Sequence, residues 1–93
     1  MHLYELVIIF HPDLDDEAIE QALERVKGWV TAGGGSIDKT DKWGKRRLSY
    51  EIQKQNEGIY YLLEISMPPA AVSELDRNLI ILETIMRHMI VAK

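Results

Sequence analysis

The sequence predicts an α+β domain in which two helices cover one face of a four-stranded antiparallel sheet. Two observations support this fold class. Four segments have the periodicity of strands, and two further segments repeat apolar residues every three or four positions, as amphipathic helices do. Their order, β-α-β-β-α-β, makes two split βαβ units whose right-handed crossovers place both helices on the same face. Residues 1–93 are predicted to form a single domain.

The first strand and the first helix are predicted in the N-terminal third of the chain. The segment from Leu3 to Phe10 is mostly apolar on both faces, which is typical of a strand at the centre of a sheet. The segment from Asp15 to Ala32 carries one apolar stripe at helical spacing. This stripe consists of Ile19, Leu23, Val26 and Val30. The glycines at 33–35 then end the helix in a turn.

A long hairpin, a second helix and a last strand are predicted in the rest of the chain. Ser36 to Gln53 is predicted as one strand with a bend near Gly44, and Ile59 to Met67 as its partner. The turn between them is placed at Gln55–Gly58, because Asn and Gly favour hairpin turns. The second helix opens at Pro68-Pro69 and buries Val72, Leu75, Leu79 and Leu82, and the last strand is Ile85–Ala92. The complete order is the ferredoxin-like β-α-β-β-α-β sandwich, which leaves one sheet face open.

Composition and charge exclude several classes of protein. The chain has no cysteine, so disulfides and cysteine-ligated metal sites are excluded. No segment approaches the roughly 18 apolar residues that a membrane span needs, and the N-terminus lacks the pattern of a signal peptide. We therefore expect a protein that is neither exported nor embedded in a membrane. The formal net charge of −4 argues against a protein that coats nucleic acid by charge alone.

No constellation of side chains predicts catalysis or metal binding. The spacing of His2, His11 and His88 matches no metal motif, and no serine lies in a Gly-x-Ser-x-Gly turn. The glycines at 33–35 lack the Gly-Lys-Ser/Thr ending of a phosphate-binding loop. The acidic residues at 13–17 lack the offsets of an EF-hand and suit the start of a helix instead. We expect no catalytic residues, no cofactor and no metal.

Basic residues are concentrated in the predicted hairpin. Six of the eleven Lys and Arg residues lie there: Lys39, Lys42, Lys45, Arg46, Arg47 and Lys54. Trp43 and Tyr50 lie among them, and RNA recognition uses such mixtures of arginine and aromatic side chains. An edge strand that lysines protect from aggregation is an equally good interpretation of the pattern alone.

The sequence around this cluster resembles the small-subunit ribosomal protein six family. The resemblance is centred on Gly44–Ile52, which reads Gly-Lys-Arg-Arg-Leu-Ser-Tyr-Glu-Ile. It extends to Met1–Glu5, Lys54, Gly58, Tyr60, Glu64–Pro68 and Arg87–Val91. Two positions depart from the family's pattern. Many relatives have arginine where this chain has His2 and Leu3, and relatives often have proline where it has Glu51.

The resemblance implies a structural protein of the cytoplasmic ribosome and no enzyme activity or small-molecule substrate. It implies binding to the central domain, or platform, of small-subunit 16S-type rRNA together with ribosomal protein eighteen. A basic partner explains how an acidic chain takes part in RNA binding. We expect that partner on the open sheet face or on a sheet edge. The residues expected to contact phosphate are Arg46, Arg47, Lys54 and Arg87, with Lys42 and Lys45 as further candidates.

Two other functions are compatible with this fold. One is a regulatory or oligomerisation domain that binds a small metabolite. The other is a small phosphatase-like enzyme, which needs an arginine- and glycine-rich anion loop after the first strand. The chain is acidic at that position, over His11–Asp15, so the enzyme is the weaker alternative.

Overall fold

The structure, a computed structural model, describes residues 1–93 and contains the four strands and two helices in the predicted order. The strands pair antiparallel in the order β2-β3-β1-β4. The predicted ferredoxin-like fold class is therefore confirmed. The elements are β1 (His2–Phe10), α1 (Asp16–Ala32), β2 (Ser36–Ile52), β3 (Gln55–Met67), α2 (Pro69–Ile81) and β4 (Ile85–Ala92).

The hydrophobic core lies between the sheet and the two helices. β1 is a central strand, as predicted, and every second residue from Tyr4 to Phe10 points to the helices and is buried. The apolar stripes of α1 and α2 cover these side chains. The largest fully buried side chains are Phe10, Leu6, Ile8, Ile19, Leu63, Ile65, Met67, Leu75, Leu79, Val26 and Val30. Neither α1 nor α2 has the length and hydropathy of a membrane-spanning helix.

Both ends of α1 are fixed by local hydrogen bonds. The Asp15 carboxylate caps the helix by accepting from the backbone N–H of Ala18 at 2.9 Å. At the other end, the backbone N–H of Gly35 donates to the carbonyl of Val30 at 2.9 Å, while Gly34 adopts a φ of +86°. These caps set the point at which β2 begins.

The hairpin turn lies earlier than predicted, so its placement at Gln55–Gly58 was wrong. The turn residues are Gln53 and Lys54, with φ of 51° and 65°, and β3 already begins at Gln55. Gly58 lies within β3, where only glycine fits, because a Cβ at this position would clash with the side chain of Ile9. The predicted bend near Gly44 is confirmed, since Gly44 has a φ of +84° and the β2–β3 register shifts beside it.

Candidate nucleic-acid interface

The hairpin places most of the predicted basic residues along one edge of the sheet. β2 is an edge strand, because it pairs only with β3. Arg46 lies opposite Gly58 and faces the open side, whereas Lys45 lies opposite the core residue Ile59 and faces the helix side. The candidates on this edge are Lys42, Lys45, Arg46 and Arg47, with Lys54 at the tip of the hairpin. Arg87 lies on β4, which is the opposite edge strand.

The basic side chains divide into those that form ion pairs and those that do not. Lys39 lies 3.7 Å from Asp41, and Lys42 lies 3.6 Å from Asp16 at the start of α1. Lys42 is therefore partly neutralised. The other five predicted contacts form no ion pair with a carboxylate: Lys45, Arg46, Arg47, Lys54 and Arg87. The positive charge of these five side chains is thus available to an anion from solution.

Arg46 rests on an aromatic stack at the open side of the hairpin. Its guanidinium carbon lies 5.6 Å from the centre of the Trp43 ring. Trp43 in turn stacks on Tyr60, with ring centres 6.4 Å apart and planes inclined by 12°. An arginine on an aromatic face is oriented without losing its charge, because its neighbour is neutral. This stack fixes Arg46 at the edge of the sheet.

Residues 48–51, which we call the strap, fold over one end of the open sheet face. Arg47 pairs with Glu57 and Ile52 pairs with Gln55, so the strap is left out of the regular ladder. Tyr50 reaches across to β4, where its hydroxyl accepts a hydrogen bond from Arg87 Nη1. The Arg87 guanidinium also lies 6.0 Å from the centre of the Tyr50 ring. Arg87 is therefore oriented by a neutral group, as Arg46 is.

A cleft of about 210 Å³ lies between the strap and the sheet. This cleft was not predicted from the sequence, because Leu48, Tyr50 and Ile52 alternate as they would in a regular strand. Only the out-of-ladder path of the strap brings them over the open face. The lining residues are Val7, Ile9, Leu48, Ser49, Tyr50, Ile52, Tyr60, Arg87, His88 and Met89.

The far end of the open face is apolar and acidic. Glu5 lies directly opposite Glu64 in the β1–β3 register, and the Lys93 ammonium reaches Glu64 Oε1 at 2.7 Å. The hydrogen bond from Lys93 lowers the pKa of Glu64 below its ordinary value. Leu3 and Val91 are exposed beside these charges. Such a mixture suits contact with a protein better than with the phosphates of RNA.

The three histidines lie apart and have structural surroundings. His88 Nε2 lies 2.6 Å from Asp76 Oδ1, which ties β4 to α2. His2 packs beside Tyr4, and the backbone N–H of His11 donates to the carbonyl of Thr84. The fold brings together no group of three side chains suited to holding a metal ion.

Comparison with known proteins finds similarity along the whole chain. A family model described as ribosomal protein S6 matches residues 3–92. The protein named small ribosomal subunit protein bS6 of Saccharopolyspora erythraea is 44% identical over 93 residues, covering 100% of this chain and 79% of the relative. Its namesake in Clostridium kluyveri is 46% identical over 91 residues, covering 98% and 96%. The crystal structure of 30S ribosomal protein S6 from Thermotoga maritima has a TM-score of 0.92 and 30% identity, covering 99% of this chain and 87% of that one.

Proposed function

Because the chain belongs to the ribosomal protein S6 family, we propose that it binds the central domain of small-subunit rRNA together with ribosomal protein eighteen. The family consists of structural ribosomal proteins, so the predictions of a non-enzymatic role and of a place in the cytoplasmic ribosome are confirmed. This membership favours the ribosomal function over a metabolite-binding regulatory domain and over a phosphatase-like enzyme.

One observation carries the RNA-binding part of the proposal. In a chain with a formal net charge of −4, the cations that form no ion pair include four neighbours on one hairpin: Lys45, Arg46, Arg47 and Lys54. A phosphate that approaches these side chains does not have to break an ion pair, although Glu57 lies opposite Arg47 in the ladder. Binding there releases counterions from the RNA, and arginine adds two-pronged hydrogen bonds to phosphate oxygens. The basic edge is therefore the surface that we assign to rRNA.

The proposed protein partner explains how a chain with a net negative charge can bind RNA. A net-acidic protein repels RNA at a distance, even where a local basic edge attracts it. A basic partner removes this repulsion when it covers acidic surface. The open face beyond the strap has Glu5 and Glu64 beside exposed Leu3 and Val91, so it offers both apolar area and negative charge to such a partner. We therefore assign this face, rather than the β2 edge, to ribosomal protein eighteen.

A salt series of binding measurements tests this proposal. The isolated chain should bind a central-domain rRNA fragment weakly, and addition of ribosomal protein eighteen should raise the affinity sharply. In the two-protein complex, changing both Arg46→Gln and Arg47→Gln should weaken binding. The salt slope is the change in the logarithm of the binding constant with the logarithm of the salt concentration. The same double change should reduce the size of this slope by about two, or about one for each phosphate that is no longer neutralised.

The matched control removes two charges from the helix side. Lys27→Gln with Arg77→Gln changes the net charge equally at exposed positions on α1 and α2, and it should leave the affinity and the slope nearly unchanged. Tight, salt-sensitive binding by the isolated chain would contradict the cooperative mechanism. An unchanged slope in the Arg46 and Arg47 variant would show that these arginines are structural.

A further inference from the structure

We infer that the cleft under the strap receives one unstacked base of the bound RNA, with Arg87 on the adjoining phosphate. This inference rests on the proposed function and adds to it a site for a single-stranded nucleotide. The basic edge by itself recognises only a phosphate backbone. The cleft would give the protein a contact with a base, which requires that the RNA be unpaired at that point.

The dimensions and lining of the cleft suit one ring system. Its volume of about 210 Å³ is below the roughly 300–1,000 Å³ of pockets that bury drug-sized ligands. The rings of Tyr50 and Tyr60 line it, and Val7, Ile9 and Met89 add aliphatic contacts. Proteins that bind single-stranded RNA stack bases on such aromatic side chains, and they do so with little sequence preference.

The charges around the cleft favour a nucleotide over a neutral or cationic ligand. No carboxylate lines the cleft, and Arg87 is the one lysine or arginine in its lining. Because Arg87 Nη1 donates to a neutral hydroxyl, its other N–H groups keep their charge and remain free to donate to phosphate oxygens. The acidic pair Glu5 and Glu64 lies further along the sheet, where Lys93 offsets part of its charge.

The cleft is continuous with the basic edge. Tyr60 lines the cleft and also stacks on Trp43, which supports the guanidinium of Arg46. An RNA strand that passes Arg46 at the edge therefore meets the cleft next and then Arg87 on β4. Charge complementarity along this path favours a nucleotide, which carries a phosphate, over a basic protein side chain as the occupant.

The first test is a titration of the full chain, with labelled methyl groups, by a short single-stranded RNA at low salt. The same RNA with its bases removed serves as the comparison, because it keeps the phosphates. A base in the cleft should shift the methyl resonances of Val7, Ile9, Leu48 and Met89 through its ring current. The RNA without bases should leave these resonances in place and still shift the backbone amides of Arg46 and Arg47.

A pair of variants at Tyr50 gives the second test. Tyr50 is 60% exposed, so replacing it should leave the fold intact. Tyr50→Leu removes the ring and should weaken binding of intact RNA about tenfold, as expected when one base has no ring to stack on, with no change in the salt slope. Tyr50→Phe keeps the ring and should retain most of the affinity. Because Tyr50 also orients Arg87, the RNA without bases serves as the reference for any loss of phosphate contact. Tyr50→Leu should weaken binding of intact RNA more than binding of the RNA without bases, and equal losses for the two RNAs would contradict stacking of a base on Tyr50.

The outcomes separate this inference from the proposed function. If the backbone amide resonances of Arg46 and Arg47 shift but the methyl resonances of the cleft do not, the base site is overturned and RNA binding still stands. The absence of any shift, with or without ribosomal protein eighteen, would contradict RNA binding itself. Val7 and Met89 adjoin the face assigned to ribosomal protein eighteen, so the decisive methyl groups are those of Ile9 and Leu48. Shifts of the Ile9 and Leu48 methyl resonances when this protein is added without RNA would show that a protein side chain fills the cleft, and would also overturn the inference.

Discussion

At the scale of single residues, the lysines and arginines of this chain are used differently. Lys39, Lys42 and Lys93 each lie within ion-pair distance of a carboxylate. Arg46 and Arg87 instead rest on the rings of Trp43 and Tyr50. A guanidinium is flat and weakly hydrated, so it stacks on a ring and still binds phosphate with two N–H groups. Aromatic support therefore orients these two cations without neutralising them.

This difference predicts that Arg46→Lys is not a conservative change. The variant keeps the charge, so the salt slope of rRNA binding by the two-protein complex should stay the same. It loses the stack on Trp43 and the two-pronged hydrogen bonding, so the affinity should fall severalfold at every salt concentration. Arg46→Gln, measured in parallel, should lower the slope by about one. Equal affinity of the lysine variant and the original chain would show that only the charge matters.

At the scale of elements, regular periodicity was predictable and departures from it were not. The apolar stripe of α1 and the two apolar faces of β1 predicted a helix and a central strand, because burial alone imposes those patterns. The turn at Gln53-Lys54 was missed, since these residues adopt positive φ and neither is a glycine or asparagine. The turn was predicted at the nearby Asn-Glu-Gly sequence because asparagine and glycine favour turns. Gly58 is instead required within β3, where a Cβ would clash with the side chain of Ile9.

The candidate site was predicted to a similar extent. The clustering of basic residues in the hairpin is visible in the sequence, and β2 does form an edge of the sheet. The pairing of Lys42 with Asp16 was not predictable, because it depends on how α1 packs beside β2. The strap was also not predicted. Alternating apolar and polar residues are compatible with a segment that stays in the ladder and equally with one that folds over the sheet.

The packing role assigned to Gly58 predicts opposite effects at two glycines. Gly58→Ala should destabilise the protein by about 1–3 kcal/mol, because the new Cβ meets the stiff, β-branched side chain of Ile9. Gly28 lies in the exposed interior of α1 with open space around it. Gly28→Ala should therefore stabilise the protein by about 0.5–1 kcal/mol. Urea unfolding measures both, and a neutral effect of Gly58→Ala would contradict the packing role.

At the scale of the whole molecule, the fold separates three surfaces. The helices cover one sheet face and bury the core, the β2 edge carries unpaired cations, and the open face carries the acidic and apolar residues. The exception is Arg87, which lies on β4 at the end of the open face that the strap covers, while Glu5 and Glu64 lie towards its other end. One small domain can thus contact RNA and a basic protein at the same time.

Crosslinking within assembled small ribosomal subunits tests this arrangement most directly. The tagged chain is incorporated into small subunits, crosslinked, and its contacts are mapped to rRNA and to neighbouring proteins. The proposed function predicts that rRNA crosslinks fall on residues 45–54 and on Arg87, and that protein crosslinks fall around Leu3, Glu5 and Val91. Crosslinks to rRNA that fall mainly on the helix side, around Lys27 and Arg77, would contradict it.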